Sequence, residues 1–205
     1  MSRDEIVEHA LDLLDEVGLD HVSTRALALR LDVKQPSLYW HFKNKDALLV
    51  AMATAAMAPH ANLALPSPLD DWRTWFTRNT ESFRRTLLMR RDGARLHAGS
   101  RPAGTALDRT TAKIDFLVSA GLPRRPAEMA MLAASRFTVG SVLEQQADQH
   151  APTDHPELRI DHDEAFRSGL TLMIQGLAEH QPTNRSHHPT ARSRRNSQEP
   201  SRHGR

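Results

Sequence analysis

The sequence predicts an all-α fold made of two helical units. A small unit of three helices spans residues 1–45, a larger one spans 46–181, and a basic tail covers 182–205. Three observations lead there. Apolar residues recur every three or four positions through most of the chain, and no stretch sustains two-residue alternation, so no sheet is expected. Residues that cap helices stand at the head of the apolar stripes. Beyond Gln181 the chain is mainly Ser, Arg, His, Pro and Asn. With almost no apolar residue it cannot bury a core, which predicts disorder.

The first helix opens on Ser2-Arg3-Asp4-Glu5, a capping-box pattern, carries Ile6, Val7, Ala10, Leu14 and Val17 on one stripe, and stops at Gly18. Ser23 caps the second, where Ala26, Leu27, Ala28 and Leu31 follow at helical spacing. Leu31-Asp32-Val33 makes a turn that needs left-handed backbone, which Asp tolerates. Gln35 is expected at the next cap, with Pro36 in the first helical position, where its missing N–H costs nothing. Asn44 caps a connecting helix, 44–58, which is apolar all round and so expected to be buried, and which should stop at Pro59. Pro66 and Pro68 mark a linker. Longer helices are predicted at 71–89, 104–119, 126–146 and 162–180, with a short one before Gly99.

Residues 22–45 therefore read as a helix-turn-helix whose second helix carries Gln35, Ser37, Tyr39, Trp40 and His41 on or near its outer face. Such a helix fits the major groove of double-stranded DNA. A Gln amide can pair with an adenine edge, and Ser can bond a base edge or a phosphate. Tyr39, His41 and Lys45 can hold phosphates and set register. Ser23, Thr24 and Arg25 at the start of the preceding helix, with Pro36, complete the candidate DNA-binding set. The alternative is that Tyr39, Trp40 and His41 pack against the next helix.

Charge favours the first reading. Residues 1–20 hold one Arg against seven Asp or Glu, net −6, whereas residues 21–45 hold five Lys or Arg against Asp32, net +4. The tail holds six Arg against Glu199, net +5. Cationic charge thus gathers on the proposed reading head, as phosphate binding requires, and the acidic first helix is expected to lie away from DNA. The tail either adds non-specific DNA attraction or does nothing.

Composition narrows the remaining classes. Zero Cys in 205 residues excludes a disulfide framework and thiolate chemistry. The acidic N-terminus lacks an apolar run, so no secretory leader is expected and the cytoplasm is the expected location. The longest apolar tract, Ala47 to Ala58, is 12 residues. A bilayer needs about 20, so no membrane span is expected. No His-Glu-x-x-His, Gly-x-Ser-x-Gly or phosphate loop occurs, and the chain is not expected to be an enzyme. The His150, Asp154, His155, Asp161, His162, Asp163 segment is read as a solvated loop rather than a metal site.

In the second unit, Met129, Leu132, Ala133, Arg136, Phe137, Gly140 and Leu143 are spaced for one helix face, and Phe166, Gly169, Leu170, Met173, Ile174 and Leu177 for another. Small residues in both stripes allow close helix approach. The stripes serve either a homodimer or the core of one protomer. On the helix from Asp71, Trp72, Trp75, Phe76, Phe83 and Leu87 form a stripe that Asn79 interrupts. A polar amide there needs a partner, which a ligand, the backbone or water could supply.

The chain resembles the tetracycline repressor family. The stretches that carry this are Leu-Leu-Asp-Glu-Val-Gly (13–18), Gln-Pro-Ser-Leu-Tyr-Trp-His (35–41), Lys-Asn-Lys-Asp-Ala-Leu-Leu (43–49), Arg-Asp-Gly-Ala-Arg-Leu-His-Ala-Gly-Ser-Arg-Pro (91–102) and Arg-Phe-Thr-Val-Gly-Ser-Val-Leu-Glu (136–144). The first three are shared broadly in the family, and the last two belong to its ligand-binding half. The resemblance implies an N-terminal helix-turn-helix DNA-binding domain and a larger C-terminal ligand-binding and dimerisation domain. It further implies a repressor that holds a palindromic operator as a homodimer, through helices 126–146 and 162–180, and lets go when a small-molecule inducer binds.

It also implies roles. Asn79 and Phe83 match an Asn and a Phe that line the family's drug pocket. His97 matches a histidine that binds a divalent cation chelated by the drug, and Glu144 a carboxylate that completes the site from the partner subunit through water. Ser100 stands where the family often has Thr, and Arg101 and Pro102 are in place. One imidazole with oxygen ligands suits Mg²⁺ held jointly with a chelating ligand, and no other cofactor is expected. Two departures bear on the ligand. Ala61 stands at the position of a drug-contacting histidine, with His60 adjacent but turned by about 100° on a helix. Lys113 stands where the family has a neutral Gln, pointing either into the pocket or out to water. The alternative is therefore the same DNA head sensing a different, non-chelating molecule.

Overall fold

The computed structural model describes residues 1–98, 104–149 and 160–181. Among these residues ten α-helices and one 3-10 turn are present, with no strand. The head contains α1 (Arg3–Val17), the 3-10 turn Leu19–His21, α2 (Thr24–Arg30) and α3 (Gln35–Tyr39). The body contains α4 (Lys45–Ala56), α5 (Ala58–Ala61), α6 (Trp72–Leu88), α7 (Gly93–Ala98), α8 (Thr105–Ser119), α9 (Arg124–Asp148) and α10 (His162–Ala178).

The local signals act as read. Ser2 and Glu5 form a reciprocal capping box on α1, Ser23 Oγ accepts from Ala26 N at 3.1 Å, and Asn44 Oδ1 accepts from Ala47 N at 2.8 Å. Asp32 takes the left-handed conformation at φ 51°. Ile6, Leu11, Leu14, Leu27, Leu38, Leu48 and Met52 are almost fully buried in one cluster. Each contributes about 1.5–3 kcal/mol. Because Leu48 and Met52 lie on α4, this helix shares the core of the head rather than hanging from it.

Three expectations need correction. The cap of α3 is Lys34, which makes no side-chain cap bond, so Gln35 opens the helix and Pro36 follows within its first turn. Pro is tolerated anywhere in that turn, because the N–H it lacks has no acceptor there. For the same reason Pro59 does not stop the connecting helix. α4 ends at Ala56 and α5 restarts with Pro59 inside its first turn. Nor is α4 buried all round: Val50 is 55% exposed while Leu48, Ala51, Met52 and Ala53 face inward.

Head and body meet at the turn between α6 and α7. Gly93 is required there, since an added Cβ would lie 2.1 Å from the Leu87 carbonyl oxygen. Asp92 adopts φ 55° and accepts from Leu19 N at 2.8 Å. Arg90 reaches Asp15 at 2.6 Å, with Asp12 and Glu8 further off, while Arg95 pairs with Asp20 at 2.7 Å. The acidity of the first helix therefore has a partner inside the molecule. Partly exposed ion pairs contribute only about 0–1 kcal/mol each, so this joint fixes orientation more than it adds stability.

Candidate nucleic-acid interface and ligand pocket

The reading head presents its candidate residues outward. Pro36, Ser37, Tyr39, Trp40, His41, Arg25 and Lys45 are exposed, Trp40 to 90%, so the packed alternative for Tyr39, Trp40 and His41 does not occur. Ser23, Thr24 and Gln35 are half-buried. Gln35 Nε2 donates to Thr24 Oγ1 at 2.9 Å and lies 3.4 Å from Tyr39 Oη. Three residues proposed separately from sequence thus form one bonded unit across the turn. Below them Leu38 and Phe42 are buried and anchor the short helix to the core.

The second site is interior. His60 from α5, Ser82 and Phe83 from α6, His97 from α7 and Lys113 from α8 converge. The His60 and Phe83 rings are 5.4 Å apart, and Phe83 and His97 meet edge-on at 5.0 Å. His60 Nδ1 lies 3.2 Å from Ser82 Oγ, and Lys113 Nζ lies 3.3 Å from His60 Nε2. With Nε2 accepting from the lysine, Nδ1 carries the ring proton and donates to Ser82. Of the two courses open to Lys113, the side chain takes the inward one, and His60 reaches the site despite its offset from position 61. Asn79, half-buried, stands one turn before Phe83 on the same helix.

Electrostatics follow from burial. Burial first, then the charges of Lys113, Arg109 and His97, lowers the His60 pKa to about 4. Burial and Arg109 lower that of Lys113 to about 8. Burial also lowers that of His97. Both imidazoles are therefore neutral at neutral pH, the form that can offer a lone pair to a metal. Behind His97, α4, α6 and α7 close on a tight crevice lined by Met57, Thr86, Leu87 and Leu96.

Ser82 was not read from sequence, although it stands three residues after Asn79, which places it on the same helix face. Glu144 is exposed on α9 of the single protomer, away from any set of three acidic or imidazole groups able to hold a metal among the described residues. Ser100, Arg101, Pro102, the 150–159 segment and the tail lie outside the described residues.

The proposed dimer stripes divide. On α9, Met129, Leu132, Ala133 and Arg136 are exposed, with Phe137, Gly140 and Leu143 half-buried. On α10 the stripe takes the second of its two readings, the core of one protomer. Phe166, Leu170 and Leu177 belong to the protomer core with Trp72, Phe76 and Phe116. Phe137 stacks on Phe166 at 5.2 Å, and a Cβ on Gly169 would lie 2.5 Å from the Phe137 ring. Gly169 therefore admits a ring of its own protomer. The large apolar side chain exposed on α10 is Leu172, at 68%.

Comparison with known proteins finds relatives for both halves of the chain. The model for bacterial regulatory proteins of the tetR family matches residues 6–52, and the tetracyclin repressor-like C-terminal domain matches residues 65–159. The chain is 42% identical over 198 residues to the tetracycline repressor protein class C of Escherichia coli, covering 86% of this chain and 90% of that one. The chain belongs to the tetracycline repressor family. Among solved structures, it resembles a family regulator from Streptomyces coelicolor with 61% identity and TM-score 0.70, covering 87% of this chain and 99% of that one. It also resembles the class A tetracycline repressor in complex with 5a,6-anhydrotetracycline and magnesium, with 43% identity, TM-score 0.75 and coverage of 87% and 98%. A member of this family is a regulator of transcription and not an enzyme. No described helix is long and apolar enough to cross a membrane.

Proposed function

We propose that the chain is a ligand-responsive repressor of the tetracycline repressor type, working in the cytoplasm as a homodimer on a palindromic operator. Residues 1–45 read DNA, residues 46–181 bind ligand and dimerise, and α4 joins them. The observation that carries this is the union in one chain of an exposed polar-aromatic α3 with an interior cluster of His60, Phe83, His97 and Lys113 from α5 to α8. The exposed Met129, Leu132 and Leu172 supply apolar surface for the symmetry mate on α9 and α10. A two-fold dimer matches half-sites about one turn of DNA apart or a multiple of it.

The residues fit Mg²⁺ only as part of a ligand chelate. No acidic or imidazole cluster among the described residues could cage a metal alone, yet neutral His97 can give one nitrogen to a metal that arrives with its own oxygens. Such an ion would lock the ligand's oxygens to α7, with Glu144 acting across the dimer. Asn79 and Phe83 hold the ligand's body. α7 touches both the pocket and the joint at Asp92 and Arg95, so filling the pocket favours a second position of the heads, where they no longer match the operator. Moving a population from 1:99 to 99:1 takes about 5.5 kcal/mol of differential binding.

The second reading, a non-chelating ligand, is favoured by Lys113 and Ala61. A single experiment separates them: fluorescence anisotropy on the chain's own upstream DNA, with anhydrotetracycline, with and without Mg²⁺. Release that requires Mg²⁺ and is lost in His97→Ala supports the chelate. Release unaffected by His97→Ala or by chelator removes it.

A further inference from the structure

A polar cleft of about 180 Å³ opens where the head meets the body, and it shares no residue with the His60 cluster. Gly18, Asp20 and His21 line it from the end of α1 and the 3-10 turn, and Arg91, Asp92 and Arg95 from the α6–α7 turn and α7. Its carboxylates are engaged. Arg95 donates to both oxygens of Asp20, at 2.7 and 3.2 Å. Asp92 accepts from Arg95 through Oδ1 at 3.3 Å and from Leu19 N through Oδ2 at 2.8 Å. The remaining donors are not engaged in this way. Arg91 is fixed by its backbone N on Asp15 Oδ1 and by Nη1 on the Glu16 carbonyl oxygen, each at 2.9 Å. It forms no ion pair among the described residues. A guanidinium has five N–H donors, so this one is held in place with most of them unengaged. Gly18 leaves room for it, since an added Cβ would stand 3.2 Å from Arg91 Nε. The His21 ring is exposed and makes no hydrogen bond among the described residues.

With the side-chain acceptors taken and the donors open, the cleft suits an oxyanion. We propose that it binds a phosphate group, gripped by Arg91 from the body and by His21 from the head. The planar fork of a guanidinium matches two phosphate oxygens at once. At roughly 30 Å³ per water the cleft has the room of about six waters, enough for a phosphate and a small body attached to it. The bound anion spans the two units and fixes the head on the body. Two sources share this chemistry. One is a small phosphorylated molecule. The other is the backbone of bound DNA, because His21 stands two positions before Ser23, where the candidate DNA-binding set begins.

The test uses the full chain with glycerol 2-phosphate as probe and sodium chloride holding ionic strength constant. Phosphorus NMR of the probe, without DNA, should show saturable binding. Arg91→Gln should weaken it by about tenfold or more, and His21→Gln by several-fold. Circular dichroism melts confirm that each variant is folded. No saturable binding, or an affinity unchanged in Arg91→Gln, would overturn the proposal; an affinity unchanged in His21→Gln would overturn the bridge from head to body. Anisotropy on the upstream DNA then separates the sources. For a small phosphorylated molecule, Arg91→Gln leaves operator affinity as it was, and the probe alters operator affinity in the unmodified chain alone. For the DNA backbone, Arg91→Gln itself weakens operator binding, the salt dependence loses about one phosphate, and the probe competes. Probe binding that leaves operator affinity untouched would also overturn the bridge. A chain that takes the probe but never binds its upstream DNA loses the repressor reading instead.

Discussion

The reading head and the ligand pocket use polar side chains in opposite ways. The head sets them on a scaffold of buried Leu38, Phe42 and Leu27 and turns them to water, where Trp40 and His41 meet no packing demand of their own. The pocket folds them inward, where each must find a partner or a ligand, and where burial shifts His60 and Lys113 far from their ordinary pKa values. A groove reader depends on exposed groups in fixed register. A sensor depends on groups that are costly to bury until something arrives.

Salt should show the contrast most strongly. Arg25, Lys34, Lys43 and Lys45 are exposed on each head. If a dimer engages roughly eight phosphates, operator affinity should fall by about four orders of magnitude between 50 and 200 mM salt. Ligand affinity should change far less over the same range, and equal sensitivity in the two titrations would erase the distinction. Next in size, Gln35→Ala or Tyr39→Ala should weaken operator binding by about 1–3 kcal/mol. Ligand affinity, measured by calorimetry, should stay unchanged; an operator affinity that does not move would put the reading surface elsewhere. Ser23→Ala removes the cap of α2 and should cost about 1 kcal/mol in denaturant unfolding.

A further effect concerns acid. His60 titrates lower when folded than unfolded, so the unfolded chain binds the extra proton first. Its contribution to stability is full above about pH 6.5 and declines as pH falls toward about 4. The charged groups around it, Lys113, Arg109 and His97, act in the same direction. His60→Asn should flatten urea-unfolding stability over that interval, and an unchanged slope would show that other groups carry it.

The same contrast decides what could be read in advance. The head was legible because its signals are local: Ser2 and Glu5, Ser23, Asp32 and Asn44 each act within a few residues of themselves. Only the cap of α3 slipped by one position, since Gln35 and Pro36 are both acceptable in the first turn of a helix. The pocket depends on residues far apart in the chain. Lys113 and His60 are 53 positions apart. No spacing rule foretells that they touch, and family resemblance alone placed Asn79, Phe83 and His97 nearby. The α10 stripe left two readings open for a different reason. A helix that faces its own core on one side and solvent on the other repeats apolar residues with one period, and the period does not say which side is which.

The joint at the α6–α7 turn bears on how freely regulators of this kind can be recombined. Within residues 90–97 the chain carries Arg90 and Arg95, matched to Asp15 and Asp20 on the head, and also His97 of the sensing site. A hybrid that grafts a foreign head at the start of α4 would keep the arginines and lose their acidic counterparts. Transplanting a new specificity therefore calls for exchanging Asp15 and Asp20 together with that octet, as a lock is moved with its key.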